Sequence, residues 1–299
     1  MVYNYLEKKF TEAIMEYTLK NQNCSAKIFS KGAELKSLCV NGKELMWSAD
    51  PAFWANTSPL LFPMIGTLKN GKTLINGKEY RISKHGFARD FELNAEKIGE
   101  DFAVFSLVQN ETTKAMFPFD FKFTIEYKLG ENGITIVQRV KNNSGEKMPY
   151  CIGCHPAFAA PGDFTDYRLV FPEKETANIP NYNKVTGVYE PNNRRMLIEN
   201  DTVLKLNHEM FYNDVLYMEH PISRSVTLLD KNDKGVRVDF PDFTGLGIWQ
   251  FKDAPFLCIE PWCGSQDYED CSGVFAEKQG IEILEPGAEK SYTYTISAV

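Results

Sequence analysis

The chain is 299 residues long, and nowhere does it hold an uninterrupted apolar run approaching the ~18 residues of a membrane-spanning helix. Its first residues, Met1 to Tyr17, lack the apolar core of a signal peptide and carry Glu7, Glu12 and Glu16. Positive charge is also short: 33 Lys and Arg stand against 40 Asp and Glu, a net charge of −7, and no basic block occurs. That balance argues against a nucleic acid or an anionic membrane as partner, because each needs a clustered cationic footprint. The 20 Gly and 15 Pro are too few for a collagen-like or low-complexity chain. Seven cysteines form an odd set in a chain without a signal, so reduced thiols in a cytoplasmic protein are expected.

What is present is an ordinary globular balance, 43% hydrophobic and 24% charged, with a dominant period of two. Phe121 to Leu129 alternates apolar and polar without a fault, the pattern of a strand wet on one face. Similar runs occur at Phe102–Val108, Ile134–Val140, Val226–Leu229, Val236–Phe240, Phe256–Ile259 and Tyr292–Ile296. Asn-Gly pairs at 41–42, 70–71, 76–77 and 132–133 suit hairpin turns, which need φ > 0 at both central positions. Cys39–Leu45 and Leu74–Tyr80 read as tight hairpins, and Asp230–Gly235 as a longer hairpin loop. Only the start differs: Leu6, Phe10, Ile14 and Tyr17 fall at helical spacing. The stretch Ile179–Arg195, rich in Pro, Asn and Arg, reads as a surface excursion. The expected fold is all-β, one large antiparallel β-sandwich over residues 17–299, behind a short helical extension over 1–16.

Three constellations could carry chemistry. Cys151-Ile-Gly-Cys154-His155 matches the haem-attachment pattern, but Pro156 follows at once and no export signal precedes it. A zinc site there would lack further ligands at finger spacing, so two small buried thiols in a strand are the simpler reading. Among the four histidines, His85 and His155 have unusual company. His85 sits in Lys84-His-Gly-Phe-Ala-Arg89, where Arg89 offers a rigid fork of donors. His155 stands between Gly153 and Pro156, whereas His208 and His220 read as structural. The third is Phe256-Leu-Cys-Ile-Glu260-Pro-Trp262, an apolar strand running into a carboxylate, which is costly to bury unless paired or used. Trp262 and Trp249 could present flat faces to sugar C–H groups or simply fill the core.

Four segments in order carry a more specific likeness: Trp54–Gly66, His85–Arg89, Gly153–Phe158 and Cys258–Trp262. Together they resemble the aldose 1-epimerase (galactose mutarotase) family, in its bacterial LacX-type branch, over about residues 17 to 299. The resemblance implies a β-supersandwich and a cofactor-independent isomerase of carbohydrate metabolism that interconverts the α and β anomers of free aldoses. It places the general acid on His155 and the general base on Glu260. It implies that His85 and Arg89 hold sugar hydroxyls, and matches a sugar-binding aspartate more loosely to Asp214; Trp262, as a flat face for the sugar, is added from its place after Glu260. The implied partner is a small sugar, with no metal and no cofactor; monomer and homodimer are both left open.

The chemistry explains these residue types. Ring opening removes a proton from the C1 hydroxyl and delivers one to the ring oxygen; the aldehyde turns about C1–C2, and closure reverses the roles. Each well-placed acid or base contributes about 10²–10⁴ in rate. Two positions depart from the family pattern: Asn56-Thr57-Ser58 stands where relatives carry a basic residue, and Thr67 where many have Arg. A missing arginine removes a bidentate hydroxyl or phosphate contact. The alternatives are a hexose 6-phosphate mutarotase, with Arg89 and Arg81 as phosphate contacts, and a non-catalytic sugar-binding protein. A glycoside hydrolase would need a second carboxylate beside Glu260, and Asp239 and Asp267 sit in no motif.

Overall fold

The computed structural model describes residues 14–299. The helical extension expected at the start lies outside the described residues except at its end, where Glu16 already begins a strand, Glu16–Lys20. There the alternating partner residues of a sheet, not helical spacing, decide the conformation: Tyr17 pairs with Ile28 across an antiparallel ladder.

Six of the seven period-two runs become strands of a nine-stranded sheet, and Phe256–Ile259 lies in another. Phe121–Leu129 has the burial alternation its sequence shows, and pairs Phe102–Val108 on one side and Gly133–Asn142 on the other. Ser225–Leu229, Gly235–Asp239 and Glu289–Ala298 continue the sheet. The two expected tight hairpins form, with Asn41, Gly42, Asn76 and Gly77 all at positive φ. Asn70-Gly71 instead lies in a short 3₁₀ turn. All paired strands are antiparallel, and among the described residues the α-helix is a single short one, Glu111–Met116.

The expected surface excursion at Ile179–Arg195 is corrected. It is the outer part of a long antiparallel ribbon, Arg168–Asn183 against Val188–Lys205, with Ile179, Val188 and Tyr189 buried. The ribbon's register shifts at four places, Pro180/Asn181 among them, so no steady alternation marks it in the sequence.

A second, six-stranded sheet bears the motifs. Its centre is Phe256–Cys263, buried throughout, flanked by Gly245–Trp249 and by Ile152–Cys154, with Leu60–Leu61 beyond. The main apolar core lies between this sheet and the large one, where Phe62 stacks on Phe123 at 4.6 Å between ring centroids. No helix among the described residues is long and apolar enough to cross a membrane.

Candidate active site

The central strand Phe256–Cys263 sets the site. Alternate residues face opposite ways: Leu257 and Ile259 join the main core, while Cys258 and Trp262 belong to separate clusters on the other face, with Glu260 between them. Small residues on the neighbouring strands make room for the indole. A side chain at Gly153 or Gly247 would come within 2.8 Å of the Trp262 ring.

Glu260, His155, His85, Arg89, Asp214 and Trp262 all line one cavity of about 340 Å³. The residues that the sequence separates by up to 177 positions are thus brought together. His155 Nε2 stands 3.3 Å from Glu260 Oε2, and the two side chains are 9% and 1% exposed. Both Glu260 oxygens and His155 Nδ1 lack protein hydrogen-bond partners. The imidazole stacks on Trp54, 4.8 Å between ring centroids, and meets the edge of Trp249 at 5.5 Å. Trp54 stands in the first of the four segments that carry the family likeness, and its contact with His155 is visible only in three dimensions.

Burial governs the protonation of this pair. It pushes the Glu260 carboxyl well above the usual carboxylate range, against the nearby Lys84 ammonium, which pulls it down. It drives His155 down to about 3, helped by the positive charges of Lys84 and Arg89. Burial thus favours the uncharged form of each group, so the carboxyl holds its proton more tightly, and the imidazole less tightly, than either would in water.

His85 is held differently. Its backbone is left-handed, φ 67°. Its N–H donates to the Gly66 carbonyl at 2.9 Å, and Nδ1 accepts the Gly66 N–H at 3.2 Å. An accepting Nδ1 places the proton of the neutral ring on Nε2, leaving a donor. Burial, with repulsion from His155, Lys84 and Arg89, keeps His85 well below its ordinary value. Arg89 is anchored by donation to the Lys84 carbonyl at 3.2 Å. Asp214 has φ 95°, and its Oδ1 accepts the Val215 N–H at 2.7 Å. Lys84 and Gln266 also line the cavity; as single residues with no periodic signature, they gave the sequence nothing to single them out.

Other candidates fall outside. Cys151 and Cys154 are fully buried strand neighbours, and burial pushes the Cys151 thiol up to about 11 and Cys154 well above its ordinary value. His208 stacks on Phe164 and bonds Gln250, and His220 is exposed. Asp267 pairs with Lys278 and Asp239 with Arg237, so neither is a free carboxylate facing Glu260. Among the described residues, those that could hold a metal are His155, Cys258 and Glu260, whose donor atoms lie within 4.8 Å of one another. Cys258 would first have to ionise, and burial holds its thiol well above the usual range. A second hollow of about 540 Å³ adjoins the cavity across Asp214, Trp249 and Phe251.

Known proteins share this architecture. Protein LacX of Lactococcus lactis is 33% identical over 297 residues, covering 94% of this chain and 99% of its own. A galactose mutarotase related enzyme from Lactobacillus acidophilus superposes with a TM-score of 0.89 at 30% identity, over 95% of this chain and 97% of that one. A galactose mutarotase-like protein from Lactobacillus casei gives 0.89 at 26% identity, over 95% and 100%. The sequence profile of the aldose 1-epimerase family matches residues 15–297, from just before the first described strand almost to the end of the last. The likeness runs through the whole domain and not through isolated motifs: the chain belongs to the aldose 1-epimerase family.

Proposed function

We propose that the protein is a cofactor-independent mutarotase that interconverts the anomers of a free hexose, with Glu260 as base and His155 as acid. The observation that carries this reading is the 3.3 Å contact between His155 Nε2 and Glu260 Oε2 in a cavity with aromatic walls and uncommitted donors. Mutarotation needs one proton taken and one given, with no net change. A close pair that shares one proton meets that requirement. Burial favours the proton on Glu260 over His155. Sugar hydroxyls donating to the carboxylate favour its charged form, and the proton passes to His155. Glu260 then takes the C1 hydroxyl proton as His155 protonates the ring oxygen, and closure on the other face runs the steps backward. Arg89, Asp214 and the Nε2–H of His85 hold the remaining hydroxyls.

A second reading, a hexose 6-phosphate substrate, is favoured by the two cations Lys84 and Arg89 on the cavity wall. Arg81 does not add to them: it lies off this cavity and pairs with Glu79 at 3.6 Å. Polarimetry of freshly dissolved α-D-glucose, α-D-galactose and a hexose 6-phosphate, with and without protein, tests both. Faster decay of rotation with a free hexose supports the main reading. Acceleration with the phosphate alone supports the second, and sugar binding without acceleration would leave a binding protein.

A further inference from the structure

Gln266 is nine-tenths buried, 4% exposed, and lines the same cavity as Glu260 and His155. Its amide nitrogen has no hydrogen-bond partner. A buried amide N–H without a partner is unusual in a folded protein and asks for one. The segment around it is firmly held. The Ser265 hydroxyl donates to the Gln266 carbonyl at 2.9 Å, and the Asp267 N–H donates to the Thr67 carbonyl at 3.0 Å. The Asp267 carboxylate accepts the Lys69 N–H at 2.8 Å and is ion-paired with buried Lys278. The glutamine stem lies against Gly66, where an added Cβ would come 2.2 Å from Gln266 Cβ. Gly66 is the residue whose N–H fixes the His85 tautomer, so Gln266 packs against the glycine that orients the histidine the proposed reading gives to the sugar.

Gln266 and Trp262 form one part of the cavity wall. Its free polar groups are the Gln266 amide and the Trp262 indole N–H, which also lacks a partner. The charge behind it, Asp267 with Lys278, is already neutralised. Lys84 and Arg89 belong to the His85 segment instead. A hydroxyl placed here would find two uncommitted donors. We propose that Gln266 is a substrate-binding residue forming a subsite for a neutral hydroxyl or hydroxymethyl group of the sugar ring. This rests on the reading of the cavity as a sugar site, and makes Gln266 a determinant of which hexose is preferred.

The test is a cycle between protein and substrate. Gln266→Met keeps length and flexibility while removing the amide, and Gln266→Leu is the second variant should the first unfold at a lower temperature. Loss of one neutral hydrogen bond, equally strong in ground and transition states, raises KM about 2- to 13-fold with kcat nearly unchanged. The decisive readout uses 2-, 3-, 4- and 6-deoxyhexoses. With the parent protein, one of them should show a raised KM, and with the variant that penalty should vanish, which a merely structural role would not produce. Deoxy penalties identical in parent and variant would overturn the proposal. Should the parent bind hexoses without catalysing mutarotation, titration calorimetry runs the same cycle on Kd, and the same two outcomes decide for and against Gln266. A parent that binds no hexose overturns both this inference and the reading it rests on.

Discussion

Lowering the pH from about 7.5 to about 5 is expected to cost this fold about 2 kcal/mol through His155 alone. The imidazole is buried, and this burial with the nearby Lys84 and Arg89 charges drives it down to about 3. In the unfolded chain it titrates near its ordinary value of about 6.5. Above that value neither state binds the proton, and the stability is unaffected. Between about 6.5 and 3 the unfolded chain takes up a proton that the folded one refuses, so stability falls as the pH falls. At about pH 5 the gap is roughly 1.5 pH units, at about 1.4 kcal/mol each. Other groups titrate as well, buried His85 in the same direction, so the measurement must be a difference. Urea unfolding of the parent and of His155→Asn at both pH values supplies it. The variant loses packing against Trp54 at each pH, but its fall in stability on acidification should be about 2 kcal/mol smaller. Equal falls in the two proteins would refute the reasoning, and would mean that the folded protein holds a proton on His155 as readily as the unfolded chain does.

Glu260→Gln keeps the shape and removes the proton acceptor. Mutarotation measured by polarimetry should fall about 10²-fold or more while thermal unfolding stays near the parent's, since no hydrogen bond to the carboxylate is lost. Arg89→Ala should act mainly on KM, by roughly 10- to 150-fold, whereas His155→Asn should act mainly on kcat, because Asn can hydrogen-bond the ring oxygen but cannot protonate it; steady-state polarimetry on both separates them. Gly86→Ala forces a side chain at φ 78° to within 2.2 Å of the Phe62 carbonyl oxygen. It should destabilise by about 3 kcal/mol in urea unfolding and disturb His85 next to it.

The sheets were legible because their strands are wet on one face, so alternation survives in the sequence, as in Phe121–Leu129 with its matching burial. The ribbon at Arg168–Lys205 was not, because each shift in register resets the alternation that would have marked it. At the site, residue identity was legible and state was not. His155 and Glu260 could be singled out from their neighbours in the chain. Their low and high proton affinities come from a sheet, two tryptophans and a lysine assembled from distant segments. Lys84 and Gln266 escaped notice for the same reason: each is an ordinary polar residue until the fold turns it toward the cavity.

The strand Phe256–Cys263 writes two messages in alternate letters. Leu257, Ile259 and Cys263 look into the main core, while Cys258, Glu260 and Trp262 look toward the site. A substitution scan along it should therefore give two interleaved profiles, one read in folding yield and the other in turnover. Drift in the sugar preferred could proceed on the even-numbered positions without touching the odd ones. Insertion of one residue upstream, by contrast, would put Ile259 in the place of Glu260, and deletion of one would put Pro261 there; either would turn the carboxylate into the core. Length in this strand is thus protected by function and stability at once, while a substitution at a single site-facing position other than Glu260 is felt by function alone.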